Sequence, residues 1–368
     1  LLVDHLCDDV ESGRAIGNLC KEICGGALDS YNCQALHGGK EVVFSAQFHT
    51  NPVFVKGRRS DVLGNEEENL FWKDKNGTEH FPNIAEFKGI IKSHLIHNFN
   101  VSYSERVFYK LWKSPLKIES FSPAQNQQLQ KLSLKTLWGL LQDPEFVVLS
   151  VLEHNDIFPE LYGTCGGFYI VEELKQIQYP TIVSQLDFTA FVRNVKIALG
   201  ILDLLAELEN SFEEPIYLCD VKPEHFGVSD FGKVKYLDLD NVYLKPILDR
   251  SIGEGTRCDN HSDCDFFDCK GTCDLLHNKC FPGATNNNLQ VVCEKIFLGT
   301  DLGFQGLSTG LLSSSHSTDA LRNFVKSCAN PSASKDGTRI KADFTLMQNL
   351  RSTLKEFVTV ESKLKELL

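Results

Sequence analysis

The chain of 368 residues holds no run of eighteen apolar side chains and no signal peptide, so neither a membrane-crossing helix nor a cleavable leader is expected within it. The expectation is a soluble luminal fragment, joined to a membrane only through an N-terminal anchor that this sequence does not include. Nor is there a basic surplus: 37 Lys and Arg stand against 49 Asp and Glu, a net charge of −12, and no basic stripe interleaves with aromatics. Nucleic acid is therefore not expected as a partner, because phosphate backbones are bound by excess Lys and Arg. Paired C-x-x-C knuckles are missing, which disfavours zinc as the use of the cysteines. The stretch 122–131, Ser-Pro-Ala-Gln-Asn-Gln-Gln-Leu-Gln-Lys, contains no carboxylate. A calcium loop needs several oxygen anions and a closing glutamate, so no calcium is expected there.

What the chain does have is 13 cysteines. Cys7, Cys20, Cys24 and Cys33 cluster near the start. Cys258, Cys264, Cys269, Cys273, Cys280 and Cys293 cluster later, with Cys328 further on. That usage predicts disulfide staples in an oxidising compartment, the lumen of the endoplasmic reticulum or Golgi, or secretion. Cys219, among apolar neighbours, is expected to be the free buried thiol that makes the count odd. Three N-x-[ST] sequons, at Asn76, Asn100 and Asn260, agree with a luminal glycoprotein. With 42% hydrophobic residues, the chain can bury one large core or two lobes.

Residues 216–241 read I-Y-L-C-D-V-K-P-E-H-F-G-V-S-D-F-G-K-V-K-Y-L-D-L-D-N. Two short apolar runs deliver Asp220 and Asp238, eighteen residues apart, and a turn-rich link lies between them. The bland reading is a β-hairpin with surface aspartates. The pattern also resembles the catalytic loop and metal-binding segment of a protein kinase. There one carboxylate orients and deprotonates the attacking hydroxyl, and the other holds a divalent cation against the nucleotide phosphates.

The flanks extend this resemblance. A glycine turn with Gly38 and Gly39 opens into strand patterns ending at Val53-Phe-Val-Lys56, like the glycine loop and lysine strand of a kinase, though G-x-G-x-x-G is not preserved. Lys56 would hold the α- and β-phosphates, with Lys110 as the rival. Residues 57–131 are expected to be a polar insertion. Residues 132–141 carry apolar side chains at helical spacing. Pro144 can open a helix over 145–154, and Glu145 falls where the glutamate partner of the strand lysine belongs; the helix dipole also favours an acid there. Two strand patterns follow, ending at Glu172 in the gatekeeper position and Glu173, whose backbone neighbourhood would meet adenine. Residues 189–210 form a long amphipathic pattern, with Val192, Val195, Leu199, Leu202, Leu205 and Leu208 in its stripe, running into the catalytic-loop segment. In place of an activation loop stands a six-cysteine stretch, expected to be a knot at about 253–293, and no A-P-E motif follows. Helices are expected over 289–299, 318–328 and 341–368.

Together with the Cys20-x-x-x-Cys24 collar, these features are similar to the divergent, cysteine-rich kinase-like family of the secretory pathway, divergent protein kinase domain 1. The resemblance covers nearly the whole chain. It implies an α+β, bilobal protein-kinase-like fold, disulfide-stapled. A cysteine-rich collar would occupy 1–36, a small β-rich N-lobe with its insertion 37–174, and a larger helical C-lobe 175–368. It implies Asp220 as catalytic base, Lys222 as the γ-phosphate lysine and Asp238 as metal ligand, with ATP and Mg²⁺ or Mn²⁺ as cofactors. His225 stands where the second metal ligand is usually asparagine, and a neutral imidazole prefers softer metals than Mg²⁺. Asp240, on the same face as Asp238 if the segment is extended, is the candidate to supply the missing oxygen. The implied activity is phosphoryl transfer to a hydroxyl of a luminal protein or glycan. The alternatives are a pseudokinase scaffold, favoured by His225 and the eroded glycine loop, and a recognition module built on the cysteine-rich stretch.

Overall fold

In the computed structural model, the described residues are 2–35, 41–58, 70, 72–73, 75–112, 123–152, 156–210, 212, 214–253, 256–300, 308–331 and 340–367. They fall into two units, Leu1–Leu174 and Lys175–Leu368. In the first, Leu2, Val3, Leu6 and Val10 recur at helical spacing and helix α1 (Leu2–Glu11) forms, its apolar face packed on the core. After the short helix α2 (Cys20–Glu22) the chain enters β1 (Leu28–Ala35), β2 (Glu41–Phe48) and β3 (Asn51–Arg58). Val42, Phe44, Ala46 and Phe48 alternate along β2 and are all buried, the period-2 signature of a strand with one covered face. A small hairpin, β4 (Trp72–Lys73) with β5 (Glu79–His80), precedes four helices: α3 (Ile84–Phe99), α4 (Glu105–Leu111), α5 (Pro123–Leu141) and α6 (Pro144–Val151). Strands β6 (Leu161–Cys165) and β7 (Phe168–Glu172) complete an antiparallel sheet of order β1-β2-β3-β7-β6.

Two expectations change here. Residues 1–36 are not only a collar packed on the sheet, because β1 is its edge strand and hydrogen-bonds to β2; an unpaired edge of β2 would expose a row of backbone donors and acceptors. The collar is also tied covalently, through Cys7–Cys24 within it and Cys20–Cys165 to β6. The stretch 57–131 is not a polar appendage either. Phe87, Ile91 and Leu95 of α3, with Phe108 and Leu111 of α4, are buried in one cluster with Leu134, Leu137 and Leu141 of α5 and Phe146 of α6. In α3 and α4, Glu86, Lys92, Glu105 and Arg106 are exposed while about one residue in three or four enters the core. Helix α6 ends at Val151, and His154 lies outside the described residues.

The second unit is built on α7 (Phe188–Asn210), which follows β8 (Lys175–Gln176). Asp187 caps it, its Oδ1 accepting from Thr189 N at 2.8 Å. Val192, Val195, Leu202, Leu205 and Leu208 are buried as the periodicity requires, while Leu199 is half-buried. Then come β9 (Ile216–Leu218), β10 (Phe226–Val228), β11 (Val234–Tyr236) and β12 (Val242–Leu244). β10 pairs with β11 and β8, and β12 pairs with β9. Gly200 is what lets α7 approach this hairpin: a Cβ there would lie 2.6 Å from Val234 Cγ2. The helices α8 (Lys245–Gly253), α9 (Asn288–Val292), α10 (Asp319–Ala329) and α11 (Phe344–Leu367) follow. α11 lies along α7, with Phe191 and Phe357 edge-to-face at 5.1 Å and Lys196 Nζ 2.7 Å from Glu361.

The expected cysteine knot is not self-contained. Cys258–Cys273 and Cys264–Cys280 are local, but Cys269 bonds to Cys219 and Cys293 to Cys328. Cys219 is therefore not a free thiol. Its apolar surroundings are those of a buried disulfide, and the partner is fifty residues away in sequence. The side chain of Cys33, the thirteenth cysteine, lies outside the described ones. Cys20–Cys165 closes a loop of 145 residues, so replacing both by serine is expected to destabilise the native state by about 2–5 kcal/mol. The check is a lower stability extrapolated to water from urea unfolding, with the slope free to rise as the unfolded chain expands; an unchanged stability would contradict the role given to this bridge.

Candidate active site

The first unit carries a buried ion pair. Lys56, in the middle of β3, lies opposite Tyr169 of β7. Its Nζ donates to Glu145 Oε1 and Oε2 at 2.6 and 2.7 Å, and the two side chains are only 18% and 5% exposed. A buried charge pair is tolerated when geometry and further hydrogen bonds are good, and here the helix start supplies the geometry. Asp143 caps α6, with Pro144 in its first turn. Asp143 Oδ1 accepts from Glu145 N and Phe146 N at 3.0 and 3.4 Å, and its Oδ2 accepts from Tyr169 Oη at 3.0 Å. Strand, cap and glutamate thus form one network. Burial raises the Asp143 carboxyl above its ordinary 3.8, opposed by the hydrogen bonds from Tyr169 and the helix amides and by Lys56. Sequence reasoning missed Asp143, although D-P-E before an apolar run is a helix-start signal.

The other candidates of this unit are dispersed. Lys110, the rival lysine, sits in the last turn of helix α4, not on a strand. Gly38 and Gly39 lie outside the described residues. Glu172 ends β7 and its Oε2 accepts from Glu160 N at 3.1 Å, so this acid caps a loop. The backbone amide of Glu173 donates to Pro52 O at 3.1 Å, and burial raises its carboxyl. Of the sequons, Asn76 and Asn100 are exposed. Asn260 is exposed too, but its Oδ1 accepts from Ser262 N and its Nδ2 donates to Asp263, capping a short helical turn.

In the second unit, β9 leads through Cys219 to Asp220, and a 3₁₀ turn over Pro223–His225 turns the chain into β10. The β10–β11 link, 229–233, is an exposed turn with Gly232 at φ +79° and Phe231 fully outside; its Asp-Phe-Gly is not the metal segment. β11 ends two residues before Asp238. The donor atoms of Asp220, His225 and Asp238 lie within 4.8 Å of one another. His225 Nδ1 is 2.8 Å from the Asp220 carbonyl oxygen and its Nε2 3.2 Å from Asp238 Oδ2. A carbonyl only accepts, so Nδ1 carries the proton. Nε2 is then directed at Asp238, where it either shares a proton with that carboxylate or, with it, ligates a cation. The same carbonyl accepts from Tyr236 Oη at 2.6 Å. Burial, followed by the charges of Asp238, Asp220 and Asp268, pushes that phenol well above its ordinary value, so it remains a donor.

Lys222 Nζ donates to Asp220 Oδ2 at 2.9 Å, a bond that holds the lysine above its ordinary value against partial burial. Asp240 does not lie in the extended segment expected for it. The chain turns at Asp240–Asn241 to pair β12 with β9, and Asp240 N donates to Asp238 Oδ1 at 3.3 Å. It is not part of the three-residue donor group. Two carboxylates and an imidazole with its far nitrogen fixed by a carbonyl fit a divalent cation chemically.

Residues 137–331 match the family described as "Protein-kinase domain of FAM69", and residues 2–112 match "N-term cysteine-rich ER, FAM69". A solved structure of vaccinia related kinase 3 aligns over 91% of this chain and 87% of that one at 11% sequence identity, with a TM-score of 0.33; it is too distant to carry any reading of the site. The family matches bear out the divergent kinase-like resemblance and the disulfide-stapled α+β kinase-like fold.

The raised Asp143 carboxyl has a consequence for stability. The folded chain binds this proton more tightly than the unfolded chain, so its contribution is complete below the unfolded value and is lost as pH rises through the folded one. Asp143→Asn keeps a good cap and holds no such proton. The variant is expected to gain stability relative to wild type as pH rises from about 4 to about 7. Chemical denaturation across that range reads the difference, and a constant difference would refute the assignment.

Proposed function

The chain belongs to the FAM69 family, and we propose that it transfers the γ-phosphoryl group of ATP to a hydroxyl of a protein or glycan in the endoplasmic reticulum lumen. The observation that carries this reading is the convergence of Asp220, His225 and Asp238 donors within 4.8 Å. The compartment is supported by the family's cysteine-rich ER description and by six disulfides among the described residues, which are favoured under oxidising conditions. No helix among the described residues is long and apolar enough to cross a membrane.

In this reading each side chain has a defined task. Asp220 accepts the proton of the acceptor hydroxyl, and Lys222, bonded to its Oδ2, meets the transferred phosphoryl oxygens. Asp238 and His225 would hold the cation. Lys56, kept extended by Glu145, binds the α- and β-phosphates. A divalent cation supplies charge neutralisation for the phosphates. An oxygen–nitrogen donor set disfavours Mg²⁺, which prefers oxygen ligands, and accommodates Mn²⁺. One observation favours the scaffold reading instead: His225 Nε2 already meets Asp238 at 3.2 Å, a contact that closes on itself when the imidazole is doubly protonated.

Ligand binding to the native state raises apparent stability. ATP with Mn²⁺ is expected to raise Tm more than ATP with Mg²⁺, Asp238→Ala to abolish the shift, and His225→Asn to move the preference toward Mg²⁺. Labelled ATP with secretory extracts should give transfer by wild type and loss of about a hundredfold or more in Asp220→Ala. No shift with either cation would leave the scaffold reading.

A further inference from the structure

The peptide groups on both sides of Asp220 are held by the cysteine-rich stretch. Asp268 N donates to Cys219 O at 2.8 Å, and Val221 N donates to Asp268 Oδ2, also at 2.8 Å. The next residue, Cys269, is bonded to Cys219 and its Sγ lies 3.9 Å from Leu218 O. Asp268 is itself fixed: Lys295 Nζ is 3.1 Å from its Oδ1, Asn286 Nδ2 donates to its carbonyl at 2.8 Å, and its side chain is only 13% exposed. On the other face, Cys219 N donates to Asn241 O at 3.0 Å, and the Asp220 carbonyl is taken by His225 and Tyr236. The backbone of residues 219–221 therefore has little rotational freedom left.

We propose that Asp268 is a positioning residue for Asp220: through Val221 N and Cys219 O it sets the backbone angles that aim the Asp220 carboxylate. This rests on the reading of Asp220 as the proton acceptor. The cysteine-rich stretch then does permanently, by a disulfide and a carboxylate clamp, what a phosphate-switched segment does conditionally elsewhere. No phosphorylation or effector is needed to assemble the loop. The Asp220 carbonyl, on the same peptide as Val221 N, keeps its bonds from His225 and Tyr236 when Asp268 is lost, so the loss falls on the aim of the Asp220 carboxylate and leaves the cation ligands in place.

The test compares Asp268→Ala, Asp268→Asn and Asp268→Glu in the full chain, with Mn²⁺ and ATP as probes. Asp268→Ala is expected to lower kcat about tenfold to a hundredfold with the KM for ATP and the Mn²⁺-dependent Tm shift unchanged. Asp268→Asn keeps an acceptor for Val221 N and is expected to recover most of the rate. Asp268→Glu keeps the charge but displaces the carboxylate by a methylene, and is expected not to recover it; this variant stands in if Asp268→Ala does not fold. Amide hydrogen exchange at 219–222 is expected to accelerate in Asp268→Ala, whether or not the wild type transfers phosphate. Unchanged exchange, a parallel loss of ATP binding, or recovery by glutamate and not asparagine would overturn the proposal. A wild type without transfer but with the accelerated exchange would refute the proposed activity and leave the clamp standing.

Discussion

The Asp220 carbonyl oxygen accepts two hydrogen bonds at once, from His225 Nδ1 at 2.8 Å and from the buried Tyr236 hydroxyl at 2.6 Å, and the chemistry of the second unit depends on that point. An acceptor-only group fixes which imidazole nitrogen carries the proton. The other nitrogen is thereby committed to Asp238. The same two bonds tie β11, which carries Tyr236 and leads into Asp238, to the segment that carries Asp220. The two aspartates are brought together by a backbone oxygen, without either carboxylate having to attract the other. Like charges close together repel, so the fold must supply such a tie if both are to remain ionised.

Around that point the chain uses covalent bonds where many folds rely on packing alone. Cys219–Cys269 draws the cysteine-rich stretch onto the loop, Cys293–Cys328 joins the start of a helical turn to α10, and Cys20–Cys165 pins the N-terminal helices to β6. In the first unit the corresponding organiser is the cap of α6. Asp143 links the helix amides to Tyr169 on the strand facing Lys56, so Glu145 is delivered to the lysine by a helix start that cannot shift without breaking a buried hydrogen bond. Burying such a carboxyl is costly, and its raised proton affinity records that cost.

Much of this was readable in the residues. The long helix before Asp220 follows from local patterns, because strand alternation, helix periodicity and turn residues are short-range signals; the pairing of Lys56 with Glu145, 89 residues apart, is expected only through the kinase resemblance. The stretch 57–131 reads as polar, because the core-facing residues of α3 and α4 are spaced among many polar and charged ones. Asp240 is expected in an extended segment and lies instead at a turn that only the pairing of β12 with β9 imposes.

The oxidising setting and the identity of the acidic and basic groups are legible in composition and in neighbours along the chain, whereas the class of the fold is legible only through the kinase resemblance of Asp220, Lys222, Asp238 and their flanks. Tertiary structure decided which cysteines join, with Cys219 as the plainest case, and which proton His225 carries. It also decided that Asp268, 47 residues beyond Val221 in a stretch with no catalytic signature, grips the peptide beside Asp220. Those outcomes depend on which backbone groups meet in space, and a hydrogen bond or a disulfide between distant segments leaves no periodic trace in the order of residues.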